Sequence, residues 1–268
     1  MRPFYIIAFF CLIGYFAAAQ CPTGNFFSFT TQEQVDNFII EYPNCTELSG
    51  TLIIDNSNAS WNEAISNLNG LQNLTAVEGN FRLEYNDDLV HINGLQNLTS
   101  IGGYVEIFWN EGLANLNGLQ NLVSIGSYLE IRWNDELLSL SGLQSLTSVG
   151  GYIEINRNDA ISNMNGLQNL TSVGEYLEIA DNEGLTSLIG LEGLTSSSSS
   201  SSSSSVTGSI KIDANDALTS LTGLENLTSV ASISISDNDA LTSLDALQNL
   251  ISADYISISD NNSVLSRI

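Results

Sequence analysis

The side chains that could do chemistry in this chain fall into rows set by an internal repeat. One row runs Arg82, Glu106, Glu130, Glu154 and Glu178, and continues through Lys211, Ser234 and Ser257. A second holds Tyr104, Tyr128, Tyr152 and Tyr176, and a third group gathers Tyr85, Phe108, Trp109, Arg132, Trp133 and Arg157. Carboxylates can serve acid–base chemistry on a glycan, or hold a hard cation such as calcium. Aromatic and arginine side chains are what binding hot spots are made of, and flat ring faces suit sugar rings as well as protein side chains. Glycan cleavage needs distinctive, non-repeated acid and base groups in a groove, whereas these acids follow the repeat. His91 is the single histidine, and no phosphate loop, metal-ligand cluster or Asp-x-Asp-x-Asp-Gly loop accompanies the carboxylates. The residues therefore point away from catalysis and away from any cofactor beyond weakly bound calcium.

The candidate binding residues are Tyr85, Glu106, Phe108, Trp109, Glu130, Arg132, Trp133, Glu154 and Arg157. They lie in the N-terminal half of the repeats, because later rungs carry Ala214, Ser236 and Ser259. Each group also has a purely structural reading. The glutamates can form a solvated face whose like charges repel at a rung spacing of about 4.8 Å. The tyrosines can form a packing ladder, and the tryptophans can cover a strand edge.

The elements that must position these residues follow from the repeat. Gly70-Leu-Gln-Asn-Leu74 recurs from Gly94 and Gly118, with variants from Gly142, Gly166, Gly190 and Gly223 and Ala246 in place of the last glycine. Asn62, Asn86, Asn110, Asn134, Asn158 and Asn182 repeat the interval of 24 residues, followed by Asn215, Asn238 and Asn261. Inside one unit Val105 and Ile107 flank Glu106, which is strand alternation with one face buried. Leu113, Leu116, Leu119, Leu122 and Ile125 complete seven inward apolar positions, each worth about 1.5–3 kcal/mol when buried. A lone coil cannot bury them, but stacked coils can. Gly102 and Gly103 allow tight backbone turns, and the repeated asparagine can both donate to and accept from the turning backbone. Helical repeats would need longer segments of 3.6-residue periodicity, which the frequent Gly, Asn and Ser-Thr pairs forbid. The expected architecture is an all-β solenoid, a right-handed parallel β-helix of about nine coils.

Two features interrupt or close the repeat. Ser196 to Ser205 is an unbroken serine run, and 197–205 reads as a loop inserted at one turn. The last two units lose one turn residue and shorten to 23. Residues 21–44 read as a cap. Thr31 and Gln34 form a capping box, Val35, Phe38, Ile39 and Tyr42 share a helical face, and Pro43 stops the helix. No equivalent cap is expected at the C-terminal end of the repeats, 45–268.

Composition limits the partners. With 30 Asp plus Glu against 6 Lys plus Arg, the net charge is −24, which excludes nucleic acid and disfavours anionic membrane surfaces. Residues 1–20 read as a signal peptide: Arg2, the apolar run Tyr5 to Phe16, then Ala17, Ala18 and Ala19. A secreted or cell-surface protein is expected, with no membrane insertion after cleavage. Two readings of Cys21 stand side by side, a disulfide with Cys45 and a bacterial lipoprotein cysteine. Seven Asn-x-Ser/Thr sequons occur, four of them, at Asn73, Asn97, Asn169 and Asn226, by-products of a repeated Asn-Leu-Thr.

Asn44-Cys-Thr-Glu-Leu-Ser-Gly-Thr-Leu-Ile-Ile54 resembles the opening of receptor L domains, the ligand-binding β-helical modules of insulin- and EGF-receptor-like ectodomains. Leu146-Thr-Ser-Val-Gly-Gly-Tyr-Ile-Glu-Ile155 resembles the coil of the same leucine-rich-repeat-like family, and the whole is similar to secreted leucine-rich proteins of Bacteroidetes-type bacteria. The resemblance spans about residues 21 to 262 and implies a ligand-binding solenoid, without a residue-level match to the receptors' ligand contacts. The expected function is recognition or adhesion, with extracellular glycan or protein bound on the open sheet of coils two to five. A spacer without a discrete site and a polysaccharide-cleaving β-helix are the alternatives.

Overall fold

The computed structural model describes residues 20–58, 63–195 and 208–261. Residues 1–19 of the expected signal peptide, Asn62 of the asparagine row and the serine run lie outside the described residues.

The chain is a parallel β-solenoid of about nine turns with one helix near its N-terminus. It opens with β1 (Phe26–Phe29), α1 (Gln32–Glu41), β2 (Glu47–Leu48) and β3 (Thr51–Asp55). Five coils then each pair a two-residue strand with a longer one. These are β4 (Ala76–Val77) with β5 (Phe81–Glu84), β6 (Ser100–Ile101) with β7 (Val105–Phe108) and β8 (Ser124–Ile125) with β9 (Leu129–Arg132). The series continues with β10 (Ser148–Val149) and β11 (Ile153–Asn156), then β12 (Ser172–Val173) and β13 (Tyr176–Ala180). Last come β14 (Ser209–Asp213), β15 (Ser229–Ser236) and β16 (Ser252–Ser259). The odd-numbered strands from β1 to β13, followed by β14, β15 and β16, form a ten-stranded sheet; β2, β4, β6, β8, β10 and β12 form a six-stranded one. Every pairing is parallel and in phase with the repeat. In β15 and β16 the two strands of a coil fuse into one of eight residues. Their shortened turns leave single residues, Ala231 and Asp254, where earlier coils break the strand with a glycine-containing pair.

The core sits between the two sheets. Val105, Ile107, Leu113, Leu116, Leu119, Leu122 and Ile125, the seven positions expected to point inward, are all at most 2% exposed. The asparagine row is a continuous buried ladder from Asn86 to Asn261. Asn110 shows the pattern: its Nδ2 donates to Phe108 O at 2.9 Å and to Leu83 O of the preceding coil at 3.0 Å. Its Oδ1 accepts the Asn86 backbone N–H at 3.1 Å. Each rung thus satisfies backbone groups that turn away from both sheets.

The N-terminal end is sealed as expected. Thr31 and Gln34 form the capping box, and Val35 and Phe38 are buried against the first coil. Gln32 Oε1 accepts from Ser66 N at 2.9 Å and Asn67 N at 3.1 Å, which docks the helix on that coil. Cys21 and Cys45 form a disulfide, which decides between the two readings of Cys21. The cap also contains a strand the sequence reading passed over: β1 pairs in parallel with β3. Phe27 and Phe29 face inward in the alternation of Phe26-Phe-Ser-Phe29, a signal too short to separate from loop. At the other end β16 is the last strand of the sheet among the described residues. Ile256 and Ile258 are half-exposed there, where the matching Ile233 and Ile235 of β15 are buried.

The repeated sequons have structural work. The amide nitrogens of Asn97, Asn169 and Asn226 donate at 2.7–2.9 Å to Gln72, Gln144 and Glu192 carbonyls of the preceding coil, and Asn73 donates to Pro43 O. The nitrogen that glycosylation would modify is therefore already engaged.

Candidate functional site

The ten-stranded sheet carries the candidate residues, and its register places them in columns. Arg82, Glu106, Glu130, Glu154, Glu178 and Lys211 are direct neighbours on successive strands. Beside them Tyr104, Tyr128, Tyr152 and Tyr176 stack face to face with ring centroids 4.6–4.8 Å apart.

The glutamate row corrects the expectation of a solvated, self-repelling face. Glu130 and Glu154 are 8% and 9% exposed. Each is held by groups leaning in from neighbouring columns. Tyr128 Oη donates to Glu106 at 2.8 Å, Tyr152 to Glu130 at 2.5 Å, and Tyr176 to Glu154. Arg82 bridges Glu84 and Glu106, both at 2.8 Å, and Arg132 bridges Glu130 and Glu154. Lys211 closes the row on Glu178 at 3.1 Å. Both carboxylate oxygens of Glu106 and Glu154, and one each of Glu130 and Glu178, are thus engaged by hydroxyl, guanidinium or ammonium groups, so the row's charge is paired within the chain. Among the described residues no three acidic, histidine or cysteine side chains converge to hold a metal ion.

The tyrosine ladder has a measurable consequence. Tyr104, Tyr128, Tyr152 and Tyr176 are all raised above the ordinary tyrosine range, first by desolvation. For Tyr128 and Tyr152 the hydrogen bond to a glutamate comes next. A raised value in the folded state means that folding favours the protonated phenol. The stability this contributes is present below the unfolded value of about 10 and is lost as pH climbs through the raised values. Phenolate absorbance in an alkaline titration is expected to show these four tyrosines ionising above the ordinary value of about 10 in the folded protein, with Tyr128 and Tyr152 the last to ionise. Their ionisation at about pH 10 with the fold intact would contradict the ladder.

Immediately after β5, β7, β9 and β11 the chain does something unusual for bulky residues. Tyr85, Trp109, Trp133 and Arg157 all adopt the left-handed backbone, with φ between 48° and 59°. That conformation is uncommon for non-glycine residues and costs of order 1–3 kcal/mol where the side chain is bulky. It turns the chain so that the next residue, the ladder asparagine, points into the core. The sequence signal for it lies in the other coils, where Asp181, Asp237 and Asp260 hold the same position and aspartate tolerates the conformation better.

In this column Tyr85 stacks on Trp109 at 5.0 Å, Trp109 on Trp133 at 4.7 Å, and the Arg157 guanidinium lies 5.4 Å over Trp133. Phe108 meets both tryptophans edge-on, with Arg132 5.9 Å over its own ring. Tyr85 and Trp109 remain 40% and 38% exposed. Both faces of Trp109 and Trp133 are taken up by the stack, while Tyr85, at its end, has a ring partner on one face only.

No family model, curated protein or solved structure matches this chain.

The candidate residues therefore divide. Tyr85, Trp109, Trp133 and Arg157 form one exposed column, with Phe108 and Arg132 packed beside it. Glu106, Glu130 and Glu154 lie two columns away, bound up in the tyrosine and arginine network. A further row escaped the sequence reading: Asp87, Glu111, Asp135, Asp159, Glu183, Asp216 and Asp239, each following a ladder asparagine and each exposed. Its signal is an Asn-Asp or Asn-Glu pair at every one of these turns. Between this row and the left-handed column runs a groove of about 390 Å³, from Trp133 and Asp135 to Ala214 and Asp216.

Proposed function

We propose that this protein is an extracellular recognition module without catalytic activity, which binds its ligand through the column Tyr85, Trp109, Trp133 and Arg157. The observation that carries this reading is a stack of large aromatic rings, half-exposed in a strained backbone, on a rigid solenoid. The coils that follow Arg157 fill the same position with aspartate or alanine. Large, pre-ordered aromatic and arginine side chains are the usual centre of binding energy, because little rotamer freedom is lost on contact. The disulfide is compatible with an extracellular setting, and no described helix is long and apolar enough to cross a membrane. The covered faces of Trp109 and Trp133 favour a protein partner over a sugar stacked on the tryptophans.

The test is binding to glycan and peptide arrays, with and without calcium, by the protein and by its Trp109→Asn/Trp133→Asn variant. Asparagine accepts the left-handed backbone, so the variant keeps its fold. A ligand signal that falls at least about tenfold in the variant is the expected result. An equal signal from both proteins, or none from either array, would favour the spacer reading.

A further inference from the structure

The tyrosine column unites two features that matter for oxidation, and neither depends on the recognition reading. The first is a ring neighbour for every member. Tyr128 lies 4.6 Å from Tyr104 and 4.7 Å from Tyr152, and Tyr152 lies 4.8 Å from Tyr176, all within 7° of parallel. The second is a fixed proton acceptor. The hydroxyls of Tyr128, Tyr152 and Tyr176 donate to carboxylate oxygens of Glu106, Glu130 and Glu154. A phenol that has lost an electron is a far stronger acid than a carboxylic acid, so its proton moves along the existing hydrogen bond. The radical left behind places unpaired electron density on the ring carbons beside the oxygen, in orbitals perpendicular to the ring. In a parallel stack those orbitals point towards the same carbons of the next tyrosine. The four side chains are part-exposed, within reach of an oxidant in solution.

We propose that this column is a site of oxidative crosslinking, where a one-electron oxidant of the peroxidase class joins neighbouring coils through dityrosine. The oxidant takes one electron from each of two adjacent tyrosines, and each phenolic proton passes to its glutamate. The two radicals pair in a bond between ring carbons ortho to the oxygens. Each of those carbons then releases its hydrogen to water as a proton, and the phenol oxygens recover the protons held by the glutamates. The balance is two electrons to the oxidant and two protons to solvent. Tyr255 provides the contrast: it is 62% exposed, but its neighbour on β15 is Ser232 rather than a ring. Access alone would favour Tyr255, whereas alignment favours the stacked four.

The experiment is photolysis of the dilute protein with tris(bipyridine)ruthenium and persulfate, which generates a one-electron oxidant in solution. Dityrosine fluorescence gives the yield, and mass spectrometry of the digested monomer locates the bond. The expected product is a monomer linked between tyrosines 24 residues apart, Tyr128 to Tyr152 and Tyr152 to Tyr176. Tyr152→Phe keeps a stacked ring without the oxidisable hydroxyl and leaves Tyr104 and Tyr128 as the one adjacent pair. It is expected to lower the monomer yield at least about threefold, against less than about 1.5-fold for Tyr255→Phe. Glu130→Gln still accepts the Tyr152 hydrogen bond but cannot take its proton, and should lower the Tyr152 links about fivefold. Dityrosine confined to covalent dimers, links centred on Tyr255, or oxidation confined to Trp109 and Trp133 would each overturn the proposal. So would a full yield from Tyr152→Phe or from Glu130→Gln.

Discussion

Replacing Asn134 with leucine is expected to lower the unfolding free energy by roughly 3–6 kcal/mol, although leucine fills nearly the same volume. Asn134 Nδ2 donates to Ile107 O and Arg132 O, both at 3.0 Å, and to Asn158 Oδ1 at 3.1 Å. Its own Oδ1 accepts the Asn110 backbone N–H at 3.2 Å. Leucine leaves two carbonyls and one N–H in a site closed to water, and each stranded group costs about 1–3 kcal/mol. Stability in a solenoid is carried between neighbouring coils, so a break at this central rung is also expected to broaden the denaturant transition. Asn117→Leu, at an exposed position off the ladder, should stay within about 0.5 kcal/mol. Equal midpoints for the two variants would mean that the ladder contributes nothing beyond packing.

Gly142→Ala is expected to cost on the order of 3–5 kcal/mol through two separate effects. Gly142 has φ +118°, a region L side chains rarely adopt, and an added Cβ would sit 1.9 Å from Leu116 O of the preceding coil. Neither is relieved by a side-chain rotation, because the obstacle is backbone. The coils would have to part at that edge and open the core beneath. Ala246 shows where alanine is admitted at this repeat position: in the last described coil, in a 3-10 turn (Asp245–Leu247). The comparison is Gly24→Ala, whose Cβ would find its nearest neighbour at 3.8 Å. Chemical denaturation of both variants checks the difference, and a Gly142→Ala midpoint matching that of Gly24→Ala would sink the argument.

Both effects trace to features visible before any coordinates. A strict interval of 24 residues, with alternation inside each unit, dictates that every side chain stacks on its own counterpart one coil away. The seven inward positions, the parallel sheet of strands around Glu106, the asparagine ladder and the glutamate column were legible for that reason, whereas the two-residue strands of the second sheet were too short to show. So were the capping box and the helix face, which are local patterns of four to eight residues. Contacts at the repeat interval itself are a property of sequence in a solenoid.

What only the tertiary structure decided are the contacts off that interval. Tyr152 reaches Glu130, which is 22 residues away rather than 24, and Arg132 reaches diagonally from Glu130 to Glu154. These contacts turned an expected repulsive face into a paired and buried one. The same holds for the tryptophans. Their rings stack because a left-handed residue precedes each inward asparagine, and that backbone choice arises from closing the turn rather than from tryptophan's own preference. The repeat length sets which residues share a column. Side-chain lean, strand twist and the backbone at each turn set which columns meet, and those emerge only when the coils are stacked.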